Sequence, residues 1–115
     1  MKNQTCDKAL LAIRDTMDVL SGKWKIAIIG SLTFGEKRFK ELQRDVDGIT
    51  AKMLSKELKD LEINNLVKRT VFYTKPVTVE YRLTEHGRSL EKIIEELVRW
   101  GILHREKIFN QPENL

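Results

Sequence analysis

The chain has 115 residues, 33% of them charged and 41% hydrophobic, with two prolines, six glycines, one cysteine and a net charge of +4. That length suits one domain with one modest core, and the positive balance tilts the choice of partner toward an anion. A lone cysteine excludes an internal disulfide framework and a multi-cysteine zinc site, and no apolar run approaches the roughly 20 residues of a bilayer span.

The start, Met1-Lys2-Asn3-Gln4-Thr5-Cys6-Asp7, lacks the apolar region of a signal peptide, so a cytoplasmic chain is expected, with no membrane partner. From Asp7 to Leu20, the residues Leu10, Ile13, Met17 and Leu20 recur at helical spacing. Ser21-Gly22 then interrupts, and Ser21 is a candidate N-cap for a helix from about Lys23 to Leu32. The inner side of that helix reads as Trp24, Ala27, Ile28 and Ile29, which puts it in the middle of the core. After Gly35, the segment from Arg38 to Val46 forms a short amphipathic helix with Phe39, Leu42 and Val46 on one face. Asp47-Gly48 is a turn signal, and Thr50 caps a fourth helix that turns Leu54, Leu58 and Leu61 inward and runs to about Asn64. Helix, tight glycine-containing turn and helix make a helix-turn-helix.

The period then changes. Val67 to Tyr73 and Val77 to Leu83 are rich in β-branched and aromatic residues, and Val77, Val79, Tyr81 and Leu83 alternate with polar ones as a half-buried strand requires. Thr74-Lys75-Pro76 joins the two strands, so the expectation is a hairpin with a basic tip. A last helix, from about Thr84 or Gly87 to Lys107, carries Leu90, Ile93, Ile94, Leu97, Val98, Ile102 and Leu103, with Trp100 beside them. The fold expected is mainly α with a small β-hairpin wing. It forms a single winged helix-turn-helix domain over 1–115, with its core at about 7–107 and a frayed tail at 110–115.

In that arrangement the second helix of the helix-turn-helix fits the major groove of DNA. Its polar face carries Thr50, Lys52, Ser55, Lys56 and Lys59, the donors that phosphate oxygens and base edges accept. Arg38 stands where it can touch the flanking backbone, and Lys75 at the hairpin tip where it can reach an adjacent groove. Lysines on a helix face are often merely solvated, and Glu57, Asp60 and Glu62 dilute the positive field of this one. Helix-turn-helix, wing and basicity together favour double-stranded DNA over a winged helix used only for protein contacts. An enzyme is not expected: Cys6 would need His86 or His104 as its base, and no phosphate loop, paired-carboxylate motif or serine elbow occurs. No metal is expected on Cys6, His86 and His104, whose spacing matches no usual ligand pattern, and no cofactor. Trp24, Phe72, Tyr73 and Trp100 read as packing residues, which leaves any small-molecule effector unnamed.

Several motifs carry a family resemblance. Ser21-Gly22-Lys23-Trp24-Lys25 resembles the Gly-Lys-Trp signature of the HxlR-type regulators, relatives of the MarR group. Arg38-Phe39-Lys40-Glu41-Leu42 is similar to their Arg-Phe-x-Glu-Leu, and Gly48-Ile49-Thr50-Ala51-Lys52-Met53-Leu54 to the opening of their recognition helix. The stretch from Leu61-Glu62 through Leu66-Val67-Lys68-Arg69, that from Pro76 to Gly87, and Trp100-Gly101 resemble their wing and terminal helix, so the likeness spans about Cys6 to His104. It implies a homodimeric transcriptional regulator that binds a short inverted repeat, its terminal helices pairing across the two-fold axis. Leu10, Ile13, Ile94, Leu97 and Trp100 are the interface residues this assigns. Independently, the last helix is apolar over more than one narrow stripe, which a symmetric partner would cover. Two departures stand out: Cys6 is followed by Asp7 where members commonly have Cys-Pro, and Ala51 replaces a common proline or serine. The first implies an extended first helix. Some members sense oxidants or electrophiles through an N-terminal cysteine, which makes Cys6 a candidate redox sensor, its thiolate favoured by a helix N-terminus.

Overall fold

The computed structural model describes residues 2–110. Among these the elements run α1 (Lys2–Val19), α2 (Lys25–Leu32), α3 (Phe39–Asp45), α4 (Ala51–Ile63), β1 (Val67–Phe72), β2 (Thr78–Leu83), α5 (Glu85–Arg88) and α6 (Glu91–Phe109). Of the tail expected to fray, only Asn110 is described, as the C-cap of α6; 111–115 lie outside the described residues.

The core is built where α2 and α4 turn matching faces toward each other. Ile28, Ile29 and Leu32 of α2 meet Leu54, Leu58 and Leu61 of α4, all essentially inaccessible, and Leu42, Val46, Ile49 and Leu66 close the sides. Each such side chain contributes about 1.5–3 kcal/mol through its removal from water. Ala27, expected inward, is exposed. Lys25, Ile28, Ile29 and Leu32 follow the i, i+3, i+4, i+7 stripe of one face, and Ala27 falls on the opposite one. Nor does Ser21 cap α2. Gly22 turns the chain at φ +83°, so the helix begins later, with Trp24 at the N-cap and no side-chain bond to close it.

The other two helices of the motif start as the sequence predicts. The Arg38 N–H donates to Glu41 Oε1 at 2.8 Å, and Thr50 Oγ1 accepts from the Met53 N–H at 3.2 Å. Between α3 and α4, Gly48 adopts φ +88°, a left-handed conformation that a side chain would strain.

β1 and β2 pair antiparallel, from Val67 opposite Leu83 to Phe72 opposite Thr78. The inward row is Val67, Val71, Val79, Tyr81 and Leu83. Val77, expected in that row, is 58% exposed because the ladder ends at Thr78 and leaves 73–77 as a loop. Phe72 and Tyr73, which the sequence suggests as packing residues, are exposed at the same end. The hairpin is tied to the helices at its base. Lys37 and Tyr81 exchange backbone hydrogen bonds of 2.9 and 2.8 Å, and the Leu66 N–H donates to Leu61 O at 2.9 Å.

The single terminal helix expected from sequence is two helices. Thr84 caps the short α5, accepting from the Gly87 N–H at 2.9 Å while its hydroxyl donates to Asn65 O at 2.6 Å. The chain then tightens: Ser89 and Leu90 donate to the carbonyls three residues back, the Ser89 hydroxyl bonds the His86 carbonyl, and α6 starts afresh from Leu90. Gly87 lies against the Leu66 backbone so closely that an added Cβ would stand 2.1 Å from the Leu66 carbonyl oxygen.

Candidate nucleic-acid interface

α4 has two faces with separate duties. The leucine stripe is sealed, and Lys52, Ser55, Lys56 and Lys59, which recur at i, i+3, i+4 and i+7, stand exposed on the opposite side. Thr50 is exposed at the helix start with its oxygen engaged as the cap. Arg38 is exposed at the N-cap of α3, and Lys75 is exposed in the hairpin loop. The polar face of α4 therefore gathers four of the seven residues expected to meet DNA. Thr50 precedes it in the chain, and Arg38 and Lys75 stand exposed on separate elements.

The acidic residues of α4 do not behave as the sequence alone predicts. Glu57, expected to dilute the positive field, is only 7% exposed and lies on the core side. Its Oε1 accepts a 2.5 Å hydrogen bond from Nζ of Lys25, itself 6% exposed, at the first turn of α2. Asp60 Oδ2 stands 3.4 Å from the same ammonium and 3.8 Å from that of Lys56. Burial works against the Lys25 charge, but the hydrogen bond and charge of Glu57, then those of Asp60, outweigh it and hold the lysine above its ordinary pKa of 10.5. Its stabilising contribution is present below the unfolded value and is lost as pH rises through the folded one. The signal was in the sequence: Lys25 and Glu57 are the oppositely charged members of two otherwise apolar stripes.

A second ionic cluster braces α3 against α2. Asp45 accepts from the Lys37 ammonium and, at 2.8 Å, from the Ser31 hydroxyl. These two hydrogen bonds, the lysine's first, pull its carboxyl below the usual carboxylate range.

Away from this surface, α1 and α6 leave much of their apolar side uncovered. Throughout 5–18 α1 is exposed, Leu10 by 61%, and Leu11, Ile13 and Met17 are similarly open. On α6, Ile93, Leu97, Val98, Trp100, Ile102 and Leu103 are exposed. Ile94, grouped with them from sequence, is half-buried against its own chain's core beside Gly30. Trp100 stacks on His104 with ring centroids 4.8 Å apart. The radius of gyration, 17.5 Å, exceeds the roughly 13 Å of a compact chain this long, as the projecting helices require. Cys6 is exposed, but it is the fifth residue of α1 rather than its cap. His86 lies on α5 and His104 on α6, so neither shares an element with Cys6.

The model of the HxlR-like helix-turn-helix family matches residues 19–109. The chain belongs to that family. It is 41% identical over 99 residues to YtcD, an HTH-type transcriptional regulator of Bacillus subtilis (strain 168), a match that spans 86% of this chain and 79% of YtcD. Among solved structures, the redox regulator HypR in its reduced form superposes with a TM-score of 0.80 at 38% identity, covering 87% of this chain and 99% of HypR. A MarR-family transcriptional regulator of Enterococcus faecalis V583 superposes at 0.75 with 34% identity, covering 89% and 93%. The HxlR-like chain described here is thus a transcriptional regulator of the helix-turn-helix type with a winged-helix fold. Its relatives are regulators, which are not enzymes. Among the described residues no helix is long and apolar enough to cross a membrane.

Proposed function

We propose that this regulator binds a short inverted repeat in double-stranded DNA as a homodimer, each protomer laying the polar face of α4 in the major groove. The observation that carries this is the exposure of Lys52, Ser55, Lys56 and Lys59 on one face of a helix whose other face is locked into the core. Arg38, exposed at the N-cap of α3, and Lys75, exposed in the hairpin loop, would hold the phosphates on either side. The second protomer would cover α1 and α6 through Leu10, Ile13, Leu97, Trp100 and the half-buried Ile94, since so many exposed large apolar side chains mark an association site. Two reading helices so held address half-sites roughly 10 base pairs apart, centre to centre.

The test uses an operator selected from random duplexes by the purified protein. Replacing both Lys52 and Lys56 with alanine should weaken binding strongly and lower the slope of log K against log salt by about 0.9 for each phosphate no longer neutralised. A double variant that folds and keeps full affinity would show that α4 is not the reading helix.

Cys6 supports a second reading, of the signal rather than of the target. It is exposed on the projecting α1, and the chain is similar to HypR, a redox regulator. With one cysteine per chain, oxidation would give a disulfide between chains or a mixed disulfide with a small thiol.

A further inference from the structure

The contact between α2 and α4 raises a question of specificity. A leucine stripe holds a helix against a core, but apolar contact is non-directional and tolerates rotation of the helix about its own axis. A rotation of a few tens of degrees would leave Leu54, Leu58 and Leu61 largely buried. It would also swing Lys52, Ser55, Lys56 and Lys59 across a groove that is read by hydrogen bonds within narrow limits of angle. The ion pair between Lys25 and Glu57 is the directional element in this contact. It joins the first turn of α2 to the middle of α4 at 2.5 Å, inside the surface that the leucines seal. Asp60, one turn further, adds a second ion pair to the same ammonium at 3.4 Å and leads outward to Lys56 on the exposed face.

We infer that Lys25 and Glu57 are positioning residues for DNA reading, fixing the rotation of α4 so that its polar face meets the bases in one register. The inference rests on α4 being the reading helix. It does not depend on the pair stabilising the fold. A buried ion pair is commonly replaced by apolar side chains of similar size at no loss of stability, and its better-attested use is to select one arrangement among several. The charges also matter in a plainer way. Glu57 and Asp60 are two carboxylates on the helix that approaches phosphate, and Lys25 neutralises one of them from behind.

The experiment compares affinities for the selected operator and for unrelated duplex DNA in Lys25→Met/Glu57→Leu, with melting temperature and light scattering as controls. This exchange removes one charge of each sign, so the net charge and the salt slope should stay those of the wild type. The expected result is a melting temperature at or above the wild-type value, unchanged affinity for unrelated DNA, and at least a tenfold fall in the ratio of operator to unrelated affinity. Should the double variant not fold, Glu57→Gln keeps the size of the side chain and weakens the tie. A threefold or greater fall in the ratio is expected there. Lys25→Arg, which preserves the charge pair, should recover most of the wild-type ratio. A folded pair variant with the wild-type ratio, or one in which both affinities fall equally, would overturn the inference. If Lys52→Ala/Lys56→Ala also keeps full affinity, the assignment of α4 fails and this inference fails with it. If the lysine variant loses the operator while the pair variant keeps it, only the inference fails.

Discussion

The interior between α2 and α4 and the outer surface of α1 and α6 use the same residue types to opposite effect. In the first, Ile28, Leu32, Leu54, Leu58 and Leu61 are sealed and even the charged residues have partners. In the second, leucines, isoleucines and a tryptophan stand about half or more open, and α6 has no buried residue. One region is complete in a single chain; the other has the composition of a core and little cover from its own chain. The difference teaches that apolar periodicity tells which face of a helix is to be covered, but not whether the cover comes from the same chain.

The sharpest way to break the comparison is a charge on the uncovered side. Leu97→Glu should leave the winged-helix body folded, give monomers by light scattering, and cut operator affinity by about a thousandfold or more, down to the non-specific level. A variant that remained dimeric and bound its operator would place the interface elsewhere. Next comes a deletion on the sealed side. Leu58→Ala should cost about 2–5 kcal/mol in chemical denaturation, with the loss independent of protein concentration. A midpoint shift that depended on concentration would mean that α4 is also part of the association surface. The smallest effect is expected at Cys6. Diamide should lower operator affinity severalfold in the wild type and not in Cys6→Ser. Equal affinity before and after treatment would leave α1 a purely structural arm.

Much of the body was legible because its signals are local and agree with one another. Thr50 caps α4, Leu54, Leu58 and Leu61 point inward, and the switch to alternating residues marks the hairpin. The exposed lysines of α4 were legible for the same reason, since a helix with one sealed face must present the other. What the sequence did not reveal depended on competition between neighbours. Ser89 bonds the carbonyl of His86, three residues back, and so divides a stretch whose apolar pattern looks continuous. Val77, Phe72 and Tyr73 have strand-forming side chains but lie at or beyond the last paired residues, where there is nothing for them to cover. Lys25 and Glu57 each sit in an apolar stripe, but each, taken alone, looks like an ordinary solvated charge. Only the packing of two helices shows that they meet.

The close approach at Gly87 has a mechanical consequence. The Leu66 backbone against which it lies is bonded to the end of α4 through Leu61 and to the start of α5 through Thr84, whose N–H donates to Leu66 O at 3.0 Å. The end of α4, the root of the hairpin and the start of α5 are therefore riveted at one point, and the rivet is one glycine thick. Any residue with a side chain at 87 would have to prise the joint open. With it closed, the approach of α5 to the end of α4 is set by backbone against backbone rather than by a side chain that could repack.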